Sequence, residues 1–477
     1  MCFNPKIAQA LVLALCVATT VSLRAQTVTT LASFDGTNGQ YGDYPGSVPV
    51  QGANGNFYGI TASGGANGEG VVFIMTPQGK LSTLYNFCSQ PNCTDGYIPT
   101  GKLVLGANGN LYGTTTSGGT NRWGTFFEIT PSGKLTTLYN FCSFSGCPDG
   151  YNPQAGVVLG ADGNFYGTTT LGGANGVGSV FKITPAGTLT TLASFNGANG
   201  ANPDFGTLIQ ASDGNLYGTT EQGGTDNYGT VFRITPGGTL TTLYNFCSQN
   251  YPTCTDGYSP YGGLAQAANG KFYGATIGGG ANGYGTIFEI TSLGHLNTLH
   301  SFDFSDGETP EASLILGSDG NLYGSTPSAG SHNGGTAFEI TPTGTFTTLY
   351  NFCAQTDCSD GSGEFGGLMQ ATNGKFYGPT LSGGVNDLGI IFSLSTGLRQ
   401  FVETVPTTAK VGAKVMIVGN TLKGATAVTF NGTAAAFTVV SNTEIKAVVP
   451  TGATTGPVQV VTPSGALNSN VSFRIAP

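Results

Sequence analysis

Few residues of this chain are equipped for chemistry, and their spacing narrows what they could do. Three histidines occur, His295, His300 and His332. None stands from a Glu or Cys at the spacing that metalloenzymes use. His300 replaces the Tyr of a recurring Leu-Tyr-Asn-Phe segment, which predicts a structural role. Glu128, Glu289 and Glu339 share one repeat position, where other copies carry Met75, Lys182, Arg233 and Ser393. A position that takes either charge reads as a solvated strand face. Glycoside chemistry needs two carboxyls at a defined separation, and Glu308 and Glu311 read by default as surface charge. No phosphate loop, nucleophile elbow or dinucleotide fingerprint occurs. The expectation is a protein without catalytic residues, bound metal or cofactor.

Cysteine is the most ordered signal. Eight residues form four local pairs, Cys88/Cys93, Cys142/Cys147, Cys247/Cys254 and Cys353/Cys358. Closely spaced pairs in even number predict disulfides made in an oxidising compartment. A zinc reading lacks histidine at ligand spacing. After Phe87, Phe141, Phe246 and Phe352 both cysteines of a pair are present, and after Phe34, Phe195 and Phe302 both are absent. Joint presence predicts bonding within each loop, with each bridge serving to stiffen that loop. Such short loops contribute at the low end of the usual ~2–4 kcal/mol.

Aromatic residues follow three of these pairs, at Tyr97, Tyr151 and Tyr258, and the one Trp, Trp123, sits in a glycine-rich loop. These four are the candidate binding residues, able to stack on sugars or grip a peptide. The competing reading packs each Tyr under its own loop. The Gly-Gly-x-Asn loops, with Asp226 or Asp387, offer oxygen ligands for Ca²⁺, but they lack a dense set of carboxylates and read as turns.

Composition excludes several classes. Only 9% of the 477 residues are charged and 78 are Gly, which argues against a helical protein. Sixteen basic residues face 25 acidic ones, with no Lys/Arg cluster, so nucleic-acid binding is not expected. Hydrophobic residues make up 39%, enough for a sizeable core. Residues 1–25 read as a secretory signal, with Lys6, an apolar run from Ile7 to Leu23, and a cleavage region at Arg24-Ala25-Gln26. The rival is a lipoprotein box at Leu13-Ala14-Leu15-Cys16, where bulky Leu15 precedes the cysteine. No other stretch approaches the ~20 apolar residues of a membrane span. The expected location is extracellular or at the cell surface, with a periplasmic one as the alternative.

These residues must be positioned by a repeat. The segment [Asn/Asp]-Gly-[Asn/Lys]-[Phe/Leu]-Tyr-Gly occurs seven times, at Tyr58, Tyr112, Tyr166, Tyr217, Tyr273, Tyr323 and Tyr377. In the fourth copy four strands are predicted: Gly206 to Ala211, Leu216 to Thr220, Gly229 to Thr235, and Thr239 to Phe246. Asp213-Gly214 predicts a type I′ hairpin, which needs positive φ at both central residues. Thr-Pro-x-Gly, present in five copies, suits a type I turn. Four antiparallel strands per ~50-residue unit predict a β-propeller blade. The fourth-strand pattern first appears at Val28 to Phe34, before any complete unit, and the last unit lacks its own. The expected fold is therefore all-β: residues 26–398 as a seven-bladed propeller closed by the N-terminal strand. The loop-rich end is expected to bind an unidentified carbohydrate or protein, with an extracellular carbohydrate-active lyase or hydrolase as the alternative.

Residues 399–477 lack the repeat and alternate Val, Thr and Ala, as a small β-sandwich would. The runs Val411-Gly412-x-x-Val415-x-Ile417-x-Gly419, Val428-x-Phe430-Asn431-Gly432, Ser441 to Ile445, Val449-Pro450 and Gly456-Pro457-Val458-x-Val460 resemble the IPT/TIG immunoglobulin-like family. That resemblance implies an Ig-like spacer or interaction module without chemistry. Asp213-Gly214-Asn215-Leu216-Tyr217-Gly218-Thr219-Thr220, Gly223-Gly224 and Gly229 to Thr235 resemble the Gloeobacter/Verrucomicrobia-type repeat (GloVer repeat) of exported bacterial proteins. This second resemblance implies an extracellular location and no particular activity.

Overall fold

Each copy of the repeat becomes one four-stranded antiparallel sheet in the computed structural model, which describes residues 26–35, 47–363 and 366–476. The predicted leader, residues 1–25, lies outside the described residues. In the fourth copy the strands Ile209–Gln210, Leu216–Thr220, Thr230–Ile234 and Leu240–Asn245 pair in chain order. The first strand is shorter than predicted. Gly206 and Thr207 lie against Gly262 and Gly263 of the next copy instead of extending their own sheet.

The motif residues explain one another. Asp213 Oδ1 accepts a hydrogen bond from the Asn215 amide at 3.0 Å, and Oδ2 accepts one from the Tyr217 hydroxyl at 2.7 Å. This Asx geometry changes the predicted turn. Gly214 has φ +85°, whereas Asp213 is not in the left-handed region. Gly214 N donates to Ala211 O, and Ala211 N to Asn215 O, both at 2.9 Å. The turn is therefore type I with a left-handed glycine bulge, not type I′. The glycine after each Tyr is steric in origin: a Cβ on Gly218 would lie 2.7 Å from Leu208 Cδ2 and 2.8 Å from Phe232 Cζ.

Neighbouring sheets join through the same residues. Tyr217 stacks on Phe272 of the next copy with centroids 4.1 Å apart, and Tyr323 meets Phe376 at 4.2 Å. The last copy meets the first in the same way, Tyr377 against Phe57 at 4.4 Å. Each such pair adds ~0.5–1.5 kcal/mol beyond its buried area. Gln51 Oε1 accepts from Thr372 N across that seam, as Gln266 Oε1 does from Ser212 N between consecutive copies. The segment Thr27–Ser33 pairs antiparallel with Ile390–Ser395 and takes the fourth-strand place in the last copy's sheet.

Beyond residue 400 the chain forms two further four-stranded sheets. One contains Glu403–Val405, Lys414–Val418, Glu444–Val448 and Phe437–Val439, and the other Thr433–Ala434, Ala427–Phe430, Val458–Thr462 and Gly465–Asn468. Alternate residues point inward, so Ile417 and Ile445 from the first share one core with Phe430 and Val460 from the second. This unit rests on the tight turns of the repeats. Thr443 Oγ1 donates to Ala53 O at 2.7 Å, Phe401 N to Thr372 O at 3.0 Å, and Met416 and Val418 pack with Tyr58 and Leu105.

Candidate functional site

Strand alternation puts the two tight turns of every sheet at one end of the array. The second-to-third loops and the connectors between sheets emerge at the other. The first strands of the sheets surround a central cavity of about 310 Å³, walled by side chains such as Val104, Val158, Ile209 and Leu264. At the tight-turn end the residue 403–475 unit covers the array. There Lys102, on the cavity wall, faces Glu403. Burial lowers the Lys102 ammonium and raises the Glu403 carboxyl from their ordinary values, each offset in part by the other's charge.

The connector end carries the chemistry. Five described connectors turn at a proline, Pro99, Pro153, Pro203, Pro260 and Pro310, and after four of these the next residue, Thr100, Gln154, Tyr261 or Glu311, lines the cavity. The fourth copy has one residue more between Pro203 and Leu208. Phe205 lines the wall there, and Asp204 sits beside it. The rings of Phe205 and Tyr261 lie 4.8 Å apart. Burial, reinforced by Glu221 from the adjacent loop, pushes Asp204 up to about 7. Burial alone pushes Glu311 up to about 7. Burial first, then the charges of Glu311, Asp204 and Glu221, raises the Tyr261 phenol. Asp204 lies beside the side chains of Glu221 and Thr170, which act as its hydrogen-bond partners. Glu311 is thus not the surface charge expected of it. The signal for this ring was the one chemically varied position after each connector proline.

The predicted binding residues occupy the same end but do not converge. Tyr97, Tyr151 and Tyr258 stand on three different seams, each half-buried with its ring against a glycine of the next copy's loop, Gly118, Gly172 and Gly278. Trp123 is 47% exposed and lies 4.7 Å from Tyr151. Tyr258 joins Tyr228, which in turn approaches Tyr251, 70% exposed. Ile98, Phe144, Phe304 and Val385 are further exposed hydrophobics of this end.

The cysteines pair within their loops as predicted: Cys88 with Cys93, Cys142 with Cys147, Cys247 with Cys254, and Cys353 with Cys358. The backbone of these loops shows a further feature. The second cysteine of each pair is in the left-handed region, with φ +52° at Cys93, +49° at Cys147 and Cys254, and +47° at Cys358. That conformation turns its carbonyl toward two glycine amides. Cys93 O accepts from Gly96 N and from Gly119 N of the next copy's loop, both at 2.9 Å. Cys147 O accepts from Gly150 at 2.9 Å and Gly173 at 3.0 Å, and Cys358 O from Gly361 at 2.8 Å and Gly384 at 3.0 Å. Cys254 does the same with Gly257 and Gly280. Each disulfide therefore fixes a residue that ties the connector to the sheet that follows it.

Sequence reasoning also missed what else holds those loops. Asp95, Asp149, Asp256 and Asp360 are buried beneath them. Asp256 accepts from the Tyr244 hydroxyl at 2.8 Å and from the Ser248 amide at 2.9 Å, and the other three repeat the arrangement. In a connector without cysteines His300 replaces the Tyr, with Nε2 2.8 Å from Asp306 Oδ2 and its ring stacked on Phe346, so its role is structural as expected.

Two other positions resolve. Glu128 is not simply solvated: its Oε1 accepts from Asn110 and Tyr112, each at 2.7 Å, and these bonds outweigh burial to hold its carboxyl below the ordinary value. Lys182 and Arg233 at that position lie near the turn residues Asp162 and Asp213. That pairing is confined to those two copies: Glu339 shares Asn321 with the acidic turn residue Asp319, and in the first copy the position is held by Ile74, not Met75. In the Gly-Gly-x-Asn loops Asn67 and Asn175 Nδ2 donate to the carbonyls of Phe87 and Phe195, both at 2.8 Å. Among the described residues no group of three His, Cys, Asp or Glu could hold a metal ion, and no helix is long and apolar enough to cross a membrane.

Repeated four-stranded sheets around a cavity define a propeller-like all-β protein. The chain belongs to the Gloeobacter/Verrucomicrobia repeat family, whose model matches residues 17–146, 44–254 and 248–440. No curated protein matches it. Among solved structures it is similar to virginiamycin B lyase from Staphylococcus aureus, at 15% identity and TM-score 0.50, covering 78% of this chain and 99% of that one. It is also similar to a fungal alcohol oxidase of the AA5 family in complex with copper, at 14% identity and TM-score 0.52, covering 92% and 98%. Two such different enzymes share a fold with this chain and nothing more.

Proposed function

We propose that this is an exported carbohydrate-binding protein whose ligand enters the connector end of the central cavity. The carrying observation is that the cavity has one covered end and one mouth furnished with aromatic rings and carboxyls. Stacking on Phe205 and Tyr261 combined with carboxyl hydrogen bonding suits a sugar ring. A cavity of about 310 Å³ is at the small end for ligand sites and suits a chain end or a short oligosaccharide. The exposed Trp123 and Tyr251 would extend the contact along the rim.

In this reading the seven sheets are blades of a closed ring. The Tyr377–Phe57 contact and the pairing of Thr27–Ser33 with Ile390–Ser395 support that closure. Residues 399–477 are an Ig-like module of the IPT/TIG type, supported by the shared core of two sheets. Export rests on the leader pattern of residues 1–25 and agrees with the four disulfides.

A glycan array followed by product analysis tests the binding reading: retention without cleavage is the expected result, and silence across the array would overturn it. One observation favours catalysis as the second reading. The Asp204 and Glu221 carboxyls adjoin, and Asp204 keeps its proton to about pH 7, as an acid/base pair requires. Release of shortened or unsaturated products, abolished by Asp204→Asn, would establish that reading instead.

A further inference from the structure

The repeats supply their own control for what the connector end requires. In six seams one backbone hydrogen bond recurs, as from Asn152 N to Trp123 O at 3.1 Å and from Asn202 N to Val177 O at 3.0 Å. The accepting residue is Glu69, Trp123, Val177, Tyr228, Tyr284 or Gly334, so the fold asks nothing of its side chain. Yet three of these six are aromatic, and each meets a ring of the connector that follows it. Trp123 and Tyr151 lie 4.7 Å apart, and Tyr284 and Phe304 5.6 Å. Tyr228 lies 5.8 Å from Tyr258 and 6.4 Å from Tyr251. In each cluster a half-buried ring, Tyr151, Tyr228 or Tyr284, supports an exposed one: Trp123, Tyr251 at 70% and Phe304 at 43%. Among the described residues the exposed aromatic side chains, these three and Phe144, all stand at the connector end.

Exposed rings that the scaffold does not need are surface kept for a partner. The three clusters occupy three seams round one mouth, and Val177 leaves the seam between the first two without one. Neighbouring sheets stack about 10 Å apart, so only an extended ligand reaches more than one cluster. Charge then selects its class. Arg122 is the one Lys or Arg in the connector-end loops, whereas Lys80, Lys134, Lys271 and Lys375 stand in tight turns at the other end. Asp226, Asp303, Asp357 and Asp387 are exposed on separate loops of the connector end. They are too scattered to form a cation site, but together they repel a polyanion. An uncharged chain of sugar rings meets both conditions, because its apolar faces stack on aromatic rings and it carries no charge for the rim to repel. We propose that the connector rim grips a neutral polysaccharide, one strand lying across the mouth and stacking on the Trp123, Tyr251 and Phe304 clusters at different seams. This inference rests on the carbohydrate reading above and narrows the ligand to uncharged polymers.

Chain length becomes the signature of such a grip. Each cluster is a weak site alone, and a strand that touches one is held close to the next, so the contacts multiply. Affinity therefore rises steeply from a trisaccharide to a polymer. Loss of one ring removes both its own contact and its share of that linkage. Trp123 and Tyr251 stand at seams that are not adjacent, so a strand using both crosses the seam between them.

The test is affinity electrophoresis of the full chain in native gels that hold a neutral polymer or its anionic derivative. Three backbones are used: hydroxyethylcellulose against carboxymethylcellulose, starch against carboxymethyl starch, and dextran against dextran sulfate. At least one neutral polymer should retard the protein with a dissociation constant tenfold or more below that of its anionic partner. The trisaccharide of that backbone should bind at least tenfold more weakly than the polymer in calorimetry. Trp123→Ala and Tyr251→Ala should each weaken retention at least fivefold, their folds checked by unchanged melting temperatures. Equal retention by the anionic partner would overturn the choice of a neutral chain. A trisaccharide as tight as the polymer would overturn the spanning strand. Retention untouched by both substitutions would overturn the assignment to the rim. No retardation by any polymer would overturn this inference alone if short oligosaccharides still bind on the glycan array, and the carbohydrate reading with it if they do not.

Discussion

The two ends of the sheet array are stabilised in different ways. At the tight-turn end each turn is satisfied within a few residues, as Asp213 is by Asn215 and Tyr217. Such turns tolerate near-identical repetition and burial under the residue 403–475 unit. At the connector end the described loops are tied to the next copy's loop, and four of them are also closed by a disulfide and seated on a buried Asp. Tyr258, for example, exchanges backbone hydrogen bonds with Gly278. Fixing the backbone by long-range ties leaves side chains such as Asp204, Tyr261 and Glu311 free to differ. Variation, and with it recognition, collects where the scaffold does not need the side chain.

Several measurements would break or sharpen this contrast. The largest effect should come from deleting residues 26–34, which serves neither end in particular. The deletion removes an outer strand and the fully buried Phe34, whose truncation alone is worth ~3–5 kcal/mol. A truncated protein that melted with the parent in calorimetry would remove the closure proposal. Next, the same residue type should cost different amounts at the two ends. Asp256→Ala strands a phenol and backbone amides at ~1–3 kcal/mol each, whereas Asp213→Ala at an exposed turn should cost about 1 kcal/mol. Equal losses in urea titrations would erase the distinction. Replacing both Cys247 and Cys254 by Ser should cost about 2 kcal/mol, and proteolysis should then cut within residues 248–253 first.

A smaller effect is pH-dependent. Asp204 and Glu311 hold protons to about pH 7 when folded, against ordinary values of 3.8 and 4.5. The folded state binds more protons across that window, so these groups make stability fall as pH rises from about 4 to about 7. Asp204→Asn should therefore melt a few degrees above the parent at pH 8 and show a shallower decline. An identical pH profile would contradict the buried acid. The smallest effect on stability should follow Trp123→Ala, within ~0.5 kcal/mol, while glycan affinity falls.

The architecture was legible because its residues refer to one another over short distances. Asp213, Gly214, Tyr217 and Gly218 form one steric and hydrogen-bonded unit, so they must recur together. The cysteine pairs were legible for the same reason, whereas the tie from Cys93 to Gly119 was not, because it runs through a carbonyl that every residue possesses. The turn type was also hidden, because the Asp213 side chain, and not a backbone preference, selects the type I geometry. The mouth escaped notice for a different reason. Asp204, Tyr261 and Glu311 are 50 or more residues apart and become neighbours only when the sheets gather round one axis. The aromatic residues singled out in sequence, Tyr97, Tyr151 and Tyr258, share a repeat position too, but that position faces the seams between sheets and not the axis.

The antiparallel partnership of Thr27–Ser33 with Ile390–Ser395 also bears on synthesis. Thr27–Ser33 leaves the ribosome early and has to wait for nearly the whole repeat array before its partner strand exists. A product terminated before Ile390–Ser395 therefore carries a bare edge that cannot be mended from within. Pairing of that edge thus reports that synthesis has passed Ser395.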